Sequence, residues 1–247
     1  MLSKTDKNKY RSLLFRHLDG ISLLGPISQL SNTGISDLIN KSDSFTLEDI
    51  NSFKKCNLGY MNISLHLFLC QGWLRKENDT YYKTNNGNTV LQNLSYYAEI
   101  YEHINQLVNC NSLIFNKSEP NNYIRDILNT IKRYPKDDQI HHHLTGAIIG
   151  PVLVAIGMSP YHSNIMKENK LNNLESLLND NTYKNIVDLF SYLEWMDGDV
   201  LTEKGMFYIK RASAYGVTTS YLPIYSFMET ILFDDVDGIW EKIDNKE

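Results

Sequence analysis

Three consecutive histidines, His141 to His143, are the residues of this chain that most suggest metal chemistry. Imidazole nitrogen is a common ligand for zinc and other transition metals. Successive residues of a helix point about 100° apart, however, so three adjacent histidines cannot all face one ion. No histidine or acidic residue follows at the i+4 spacing that would complete a helical site. The sequence therefore predicts no metal site here, but the start of a helix with one histidine packed inward.

Most of the chain consists of two segments that resemble each other, so any functional side chain is positioned by one of these repeats. His17-Leu18-Asp19-Gly20 is matched by His143-Leu144-Thr145-Gly146, and a Gly-Pro pair follows in both segments. Trp73 follows the first of these prolines by 47 residues, and Trp195 follows the second by 44. Two copies are too few for a solenoid. They predict tandem homologous domains.

The repeats divide the chain into four parts. Residues 10–108 and 139–233 are the two repeats, and 109–138 is a helical connector that ends near Pro135. The last part, residues 234–247, is an acidic tail. The net charge of −5 arises in the last 19 residues, so the body of the chain is close to neutral. A neutral body with an acidic end is unsuited to neutralising phosphates.

Each repeat has the element order of a winged helix. In the first, apolar residues at helical spacing cover 21–30, and two short strands are expected at 73–76 and 80–84. A closing helix should then run from Gly87 to about Val108. A third helix is expected over 64–74, before the first strand. The second repeat keeps the first helix, the third helix at 183–196, the wing and the closing helix. The predicted fold class is mainly α, with tandem winged-helix-like repeats and small two-stranded wings.

The composition favours a cytoplasmic protein. Three cysteines cannot form an even disulfide framework, and no CxxC pair is present. No apolar segment follows the polar N-terminus, so no signal peptide is predicted. The longest apolar run, 144–158, is shorter than the roughly 20 residues that span a bilayer. We expect it to be core, and we expect no membrane partner.

The wings resemble those of a known enzyme class. Tyr82-Lys83-Thr84-Asn85-Asn86-Gly87 and Val200-Leu201-Thr202-Glu203-Lys204-Gly205 look like the wing that precedes the catalytic domain of small-molecule methyltransferases. The segment 203–223 is similar to polyketide-type C-methyltransferases that use S-adenosylmethionine. The resemblance implies the N-terminal winged-helix region of such an enzyme.

The resemblance does not extend to a cofactor site. A Rossmann-like sheet binds its cofactor through a strand, a Gly-rich turn and an acidic residue after the next strand. Gly-x-Gly occurs nowhere in the sequence, and only 14 residues follow Phe233. We therefore expect no catalytic, cofactor-binding or metal-binding residue in this chain. The resemblance implies a lid or substrate-side region, not catalytic alone, and S-adenosylmethionine binding only by a separate catalytic domain.

Three tyrosines near the end of the second repeat are candidates for lining a substrate channel. Tyr215, Tyr221 and Tyr225 lie next to the point where a catalytic domain would attach. In that position they would contact a small or carrier-bound acyl substrate. Packing inside the domain is the alternative, and Pro223 would disturb a helix that carried Tyr221 and Tyr225 on one face.

Two other functions compete with this interpretation. A winged helix can regulate transcription, but the third helix of the first repeat lacks Lys and Arg, so nucleic acid is not an expected partner. A protein-interaction module is the other alternative, with Trp240 in the acidic tail as an anchor. The partners in view are a catalytic methyltransferase domain, a carrier protein and a second copy of the chain as a homodimer.

Overall fold

The computed structural model of the chain describes residues 2–136 and 138–234 and confirms a mainly helical fold. The elements of the first half, in chain order, are α1 (Lys4–Asn32), α2 (Ile35–Lys41), β1 (Ser44–Phe45), α3 (Leu47–Phe53), α4 (Leu58–Cys70), β2 (Leu74–Glu77), β3 (Thr80–Lys83), α5 (Asn85–Leu91) and α6 (Ser95–Tyr101).

The second half continues with helices and one short hairpin. Its elements are α7 (Ile104–Val108), α8 (Cys110–Ile114), α9 (Tyr123–Lys132), α10 (Gln139–Met158), α11 (His162–Glu168), α12 (Asn172–Glu175), α13 (Asp180–Tyr192), β4 (Met196–Asp197), β5 (Val200–Leu201), α14 (Glu203–Ile209), α15 (Ala212–Thr219), α16 (Leu222–Tyr225) and α17 (Met228–Phe233).

The chain forms two compact units that interleave along the sequence. The first unit contains the described residues up to Ser22 together with His103–Leu222. The second contains Leu23–Glu102 and continues from Pro223. These units follow contacts in space, whereas the predicted boundaries at 108, 139 and 233 follow sequence similarity. Both predicted repeats therefore contribute residues to both units. The predicted acidic tail lies outside the described residues, apart from Asp234.

The second unit contains a winged helix with a three-stranded sheet. The sheet is antiparallel in the order β1-β3-β2, so the predicted two-stranded wing gains a third strand from Ser44 and Phe45. Phe45 stacks on Tyr81 with ring centroids 5.4 Å apart, which places an aromatic pair on the buried face. Directly after this strand, Thr46 and Asp49 form a capping box that starts α3.

The first unit contains a second winged helix of the same element order. Helices α11 and α13 precede the hairpin of β4 and β5, and α14 follows it. Lys170 forms an isolated antiparallel bridge with Val200, and the Leu201 amide donates to the Asn169 carbonyl. This bridge stands where β1 pairs in the other copy.

The junction between third helix, wing and closing helix is the same in both copies. The Trp73 amide donates to the Phe68 carbonyl, and the Trp195 amide donates to that of Phe190. Each tryptophan carbonyl then accepts from the backbone amide of a threonine that caps the closing helix, Thr84 in one copy and Thr202 in the other.

A glycine allows each of these close approaches. A Cβ atom added to Gly87 would overlap the Trp73 carbonyl, and one added to Gly205 would overlap the Trp195 carbonyl. Only glycine permits such an approach between closing helix and tryptophan backbone. The wing glycines singled out in the sequence are therefore packing positions.

The closing helix of the first repeat is broken, although one continuous helix to Val108 was predicted. Helix α5 ends at Leu91, where Asn93 donates from Nδ2 to the Thr89 carbonyl. A side chain that takes a carbonyl near the end of a helix competes with the next helical hydrogen bond. Helices α6 and α7 follow as separate segments.

Helix α10 is the core helix of the first unit. It is long and apolar enough to cross a bilayer, but 83% of its most apolar window is buried inside the protein. Its Pro151 lies within the helix, as Pro26 lies within α1, so neither proline starts a new helix. This agrees with the prediction that 144–158 is core.

Within the first unit, α1 and α10 cross at two reciprocal glycines. A Cβ on Gly20 would overlap the backbone of His143, and a Cβ on Gly146 would overlap the backbone of His17. The two helix backbones therefore touch without side chains between them. The repeated His-Leu-x-Gly segment is the sequence mark of this crossing.

Replacing Gly20 by alanine should destabilise the chain strongly. The added methyl group can be accommodated only if the two helix backbones separate, and such overpacking costs about 3 kcal/mol or more. Gly216→Ala is the matched control, because no atom lies within 4 Å of its added Cβ. The control should be neutral or stabilising by up to about 1 kcal/mol. Urea unfolding measures both, and equal stability of the two variants would contradict the crossing.

Candidate functional site

A buried His17–Tyr215 pair lies beside the helix crossing. The His17 Nδ1 atom and the Tyr215 hydroxyl are 2.9 Å apart, and both side chains are buried. Burial, with the neighbouring His142 and His143 next in importance, lowers the pKa of His17 to about 3. Burial also raises the pKa of Tyr215 well above its ordinary value. The pair is therefore neutral at physiological pH and fixes the orientation of the imidazole ring.

The three tyrosines predicted to line a substrate channel have different environments. Tyr215 is fully buried, whereas Tyr221 is 47% exposed. Tyr225 belongs to the second unit, where its carbonyl accepts a hydrogen bond from the Tyr101 hydroxyl. Helix α15 ends before Tyr221, and Pro223 lies in the short α16, so no single helical face carries all three. Their role in binding substrate stays a prediction.

Next to His17, the first unit has a pocket of about 190 Å³, here named the His17 pocket. Its lining contains three lysines and several aromatic rings. The residues are Lys9, Leu13, His17, Lys136, His141, His142, Thr145, Tyr192, Leu193, Glu194, Trp195, Lys204 and Tyr208. Sequence reasoning missed the pocket, because its lysines come from three separate segments.

The inner wall of the His17 pocket is a stacked aromatic pair. Trp195 and Tyr208 lie with ring centroids 4.4 Å apart and an interplanar angle of 11°. Tyr208 also donates from its hydroxyl to the Tyr10 carbonyl, and burial raises its pKa. Trp195 thus packs under the wing and at the same time forms part of a pocket wall.

The mouth of the pocket carries one carboxylate among lysines. Lys204 Nζ donates to Glu194 Oε2 over 3.1 Å and to the Leu193 carbonyl over 2.8 Å. This hydrogen bond is the main cause that lowers the pKa of Glu194, and the charges of Lys136 and Lys9 add to it.

Glu194 adopts a left-handed backbone, with φ of 62°. The corresponding position of the first repeat is Gly72, with φ of 69°. A non-glycine residue in this region carries a cost of about 1 kcal/mol. Strain of this kind is concentrated at functional sites.

The three consecutive histidines do not form a metal site among the described residues. His141 and His143 are both buried, and His142 is half-buried. The prediction that one histidine packs inward is therefore wrong in number: two do, because α10 is surrounded by protein on nearly all sides. His141 Nε2 lies 3.1 Å from the Tyr192 hydroxyl in the wall of the His17 pocket.

The helices that would read DNA in a winged helix are poorly suited to do so. Helix α4 carries no Lys or Arg, and Tyr60 and Ile63 are exposed on it. In the second copy, α13 has Lys184 against Asp180 and Asp188. Duplex recognition uses cationic and amide side chains on this helix.

Acidification should destabilise the protein through its buried histidines. Burial lowers the pKa of His17 and of His143 to about 3, while unfolded histidine titrates near 6.5. Below pH 6.5 these two histidines become protonated in the unfolded chain but stay neutral in the folded chain, so the free energy of unfolding decreases as the pH falls. Between pH 7 and pH 5 the loss should be about 2 kcal/mol per histidine.

Urea unfolding at the two pH values measures this loss. His17→Gln should reduce the pH-dependent part by about half, because one of two contributions disappears. His66→Gln, at an exposed position on α4, is the control and should leave it unchanged. An unchanged loss in His17→Gln would contradict the assignment.

Comparison with known families agrees with the fold. Residues 145–235 match the AprA winged helix domain, and residues 10–76 match the AprA N-terminal domain. No curated protein matches the chain. The chain thus contains a winged helix similar to the AprA winged helix domain.

Proposed function

We propose that this chain is the lid and substrate-side region of an S-adenosylmethionine-dependent methyltransferase acting on a small or carrier-bound acyl substrate. One observation carries the proposal: two AprA domains match in the same chain, the N-terminal domain before the winged helix domain. In this role the helices cover an active site, exclude water and contact the acyl chain. The catalytic domain is a separate partner, and the location is the cytoplasm.

The described residues do not fit the cofactor themselves. Both sheets are small and antiparallel, with three and two strands. A nucleotide-type cofactor site needs parallel strands, with a Gly-rich turn between a strand and the following helix. The glycines of α10, Gly146, Gly150 and Gly157, face His17, Ile21 and Ala212 inside the core and are not in a turn. No step of methyl transfer is therefore assigned to residues of this chain.

Among the three candidate tyrosines, the exposure of Tyr221 supports a role in contacting a partner or substrate. Tyr221 is 47% exposed, whereas Tyr215 is buried beside His17. Tyr225 offers its backbone carbonyl to Tyr101 and is half-buried. We assign Tyr221 to the substrate side, and the role of Tyr215 and of Tyr225 in binding substrate stays a prediction. A carrier protein and a second copy of the chain are further proposed partners.

The isolated chain should bind neither S-adenosylmethionine nor duplex DNA with useful affinity. The described residues form no parallel sheet that could bind the cofactor. Helix α4 carries no Lys or Arg that could neutralise DNA phosphates. Isothermal titration with the cofactor and a gel-shift series over salt concentration measure the two. Micromolar cofactor binding would make the chain an enzyme by itself. Sequence-selective DNA binding would favour a transcriptional regulator instead.

A trans-complementation assay tests the lid role directly. The catalytic domain of an AprA-type protein, expressed without its own N-terminal and winged helix domains, should transfer methyl groups several times faster when this chain is added. Tyr221→Ala should reduce the gain, and Tyr60→Ala is the control at a similarly exposed tyrosine of α4. No gain with the wild-type chain at saturating concentration would refute the proposal.

A further inference from the structure

We propose that the His17 pocket binds a small organic anion, with its carboxylate among the lysines of the mouth and its apolar body against Trp195 and Tyr208. The ligand class follows from the charge at the mouth, the wall of the interior, the volume and one buried hydroxyl.

The charge at the mouth selects an anion. Lys9, Lys136 and Lys204 line the pocket, and Glu194 is the one carboxylate among its lining residues. The described lining thus keeps a surplus of positive charge after Glu194 is paired. Lysine ammonium groups in a partly enclosed site bind oxyanions through charge-assisted hydrogen bonds.

The interior selects a ligand with an apolar body. Beyond the lysines, the pocket is bounded by Leu13 and the stacked rings of Trp195 and Tyr208. These rings are 1% and 0% exposed, so a ligand meets them only after side chains at the mouth move aside. His17 adds a neutral ring, because burial lowers its pKa to about 3. A flat aromatic or short acyl group is favoured against these faces. Inorganic phosphate would leave them without a contact.

The volume of the His17 pocket limits the size of the ligand, and the buried Thr145 hydroxyl offers a hydrogen bond inside the pocket. About 190 Å³ is below the roughly 300 Å³ at which drug-sized pockets begin, so the ligand is small. Thr145 is 1% exposed, lines the pocket, and its Oγ1 atom has no hydrogen-bond partner in the described structure. A buried hydroxyl without a partner costs free energy, and a ligand oxygen would satisfy it.

Glu194 acts as the internal competitor for this site. Its carboxylate is held by Lys204 at the mouth, on a backbone conformation that the first repeat gives to Gly72. An incoming carboxylate would take over Lys204 and displace Glu194. Glu194→Gly removes the competitor and introduces the residue that this backbone conformation favours.

Isothermal titration of the full chain with benzoate, acetate and inorganic phosphate at low ionic strength tests the proposal. Benzoate should bind at one site and more tightly than acetate, and phosphate should bind weakest. Glu194→Gly should tighten benzoate binding. Thr145→Val and Lys136→Met should each weaken it by about tenfold, the value of one hydrogen bond to a charged group.

Lys167→Met, at an exposed lysine outside the pocket, is the control and should bind benzoate as the wild type does. Circular dichroism and thermal melting confirm that each variant is folded before its affinity is compared. Absence of benzoate binding to both wild type and Glu194→Gly overturns the proposal. Equal affinities for Thr145→Val and wild type, or tighter binding of phosphate than of benzoate, overturn it as well.

Discussion

The backbone contact between α1 and α10 is the constraint on which the first unit depends. Gly20 lies against the backbone of His143, and Gly146 lies against that of His17. Because neither glycine leaves room for a side chain, the two helices are held at one distance and one register. The crossing places His17 next to Tyr215, and it brings Lys9 and Leu13 of α1 to the same pocket as Thr145 of α10.

Close backbone contact at a glycine is also found in the two wings. In both copies a tryptophan carbonyl, a capping threonine and a glycine meet at one point, although few of the surrounding residues are identical. The copies differ at the residue before the tryptophan. Gly72 adopts the left-handed conformation in one copy, whereas Glu194 adopts it in the other. This exchange puts a carboxylate at the mouth of a pocket.

The sequence was sufficient for the features that depend on spacing. The repeated His-Leu-x-Gly and Thr-x-x-Gly segments predicted the duplication and the wings, because backbone packing demands glycine at those positions. It was not sufficient for the break after Leu91, which depends on one asparagine side chain, or for the strand at Ser44 and Phe45, which is too short to show a period.

The His17 pocket could not be predicted from the sequence, because Lys9, Lys136 and Lys204 converge only after α1 meets α10. Tyr215, Tyr221 and Tyr225 are close in sequence, but Tyr215 is buried whereas Tyr221 is 47% exposed.

The interleaved division of the chain has a consequence for how it folds. The residues up to Ser22 belong to the same compact unit as His103–Leu222, so they cannot complete their contacts until more than 100 further residues have been synthesised. Contacts of such long range in the sequence slow folding, because loop-closure entropy is lost before the contacts are gained. A ribosome-bound nascent chain would therefore hold the part of α1 up to Ser22 without its partners of the first unit until those later residues are made. A cut at the connector would not yield two self-sufficient halves, since each half would lack part of its own core.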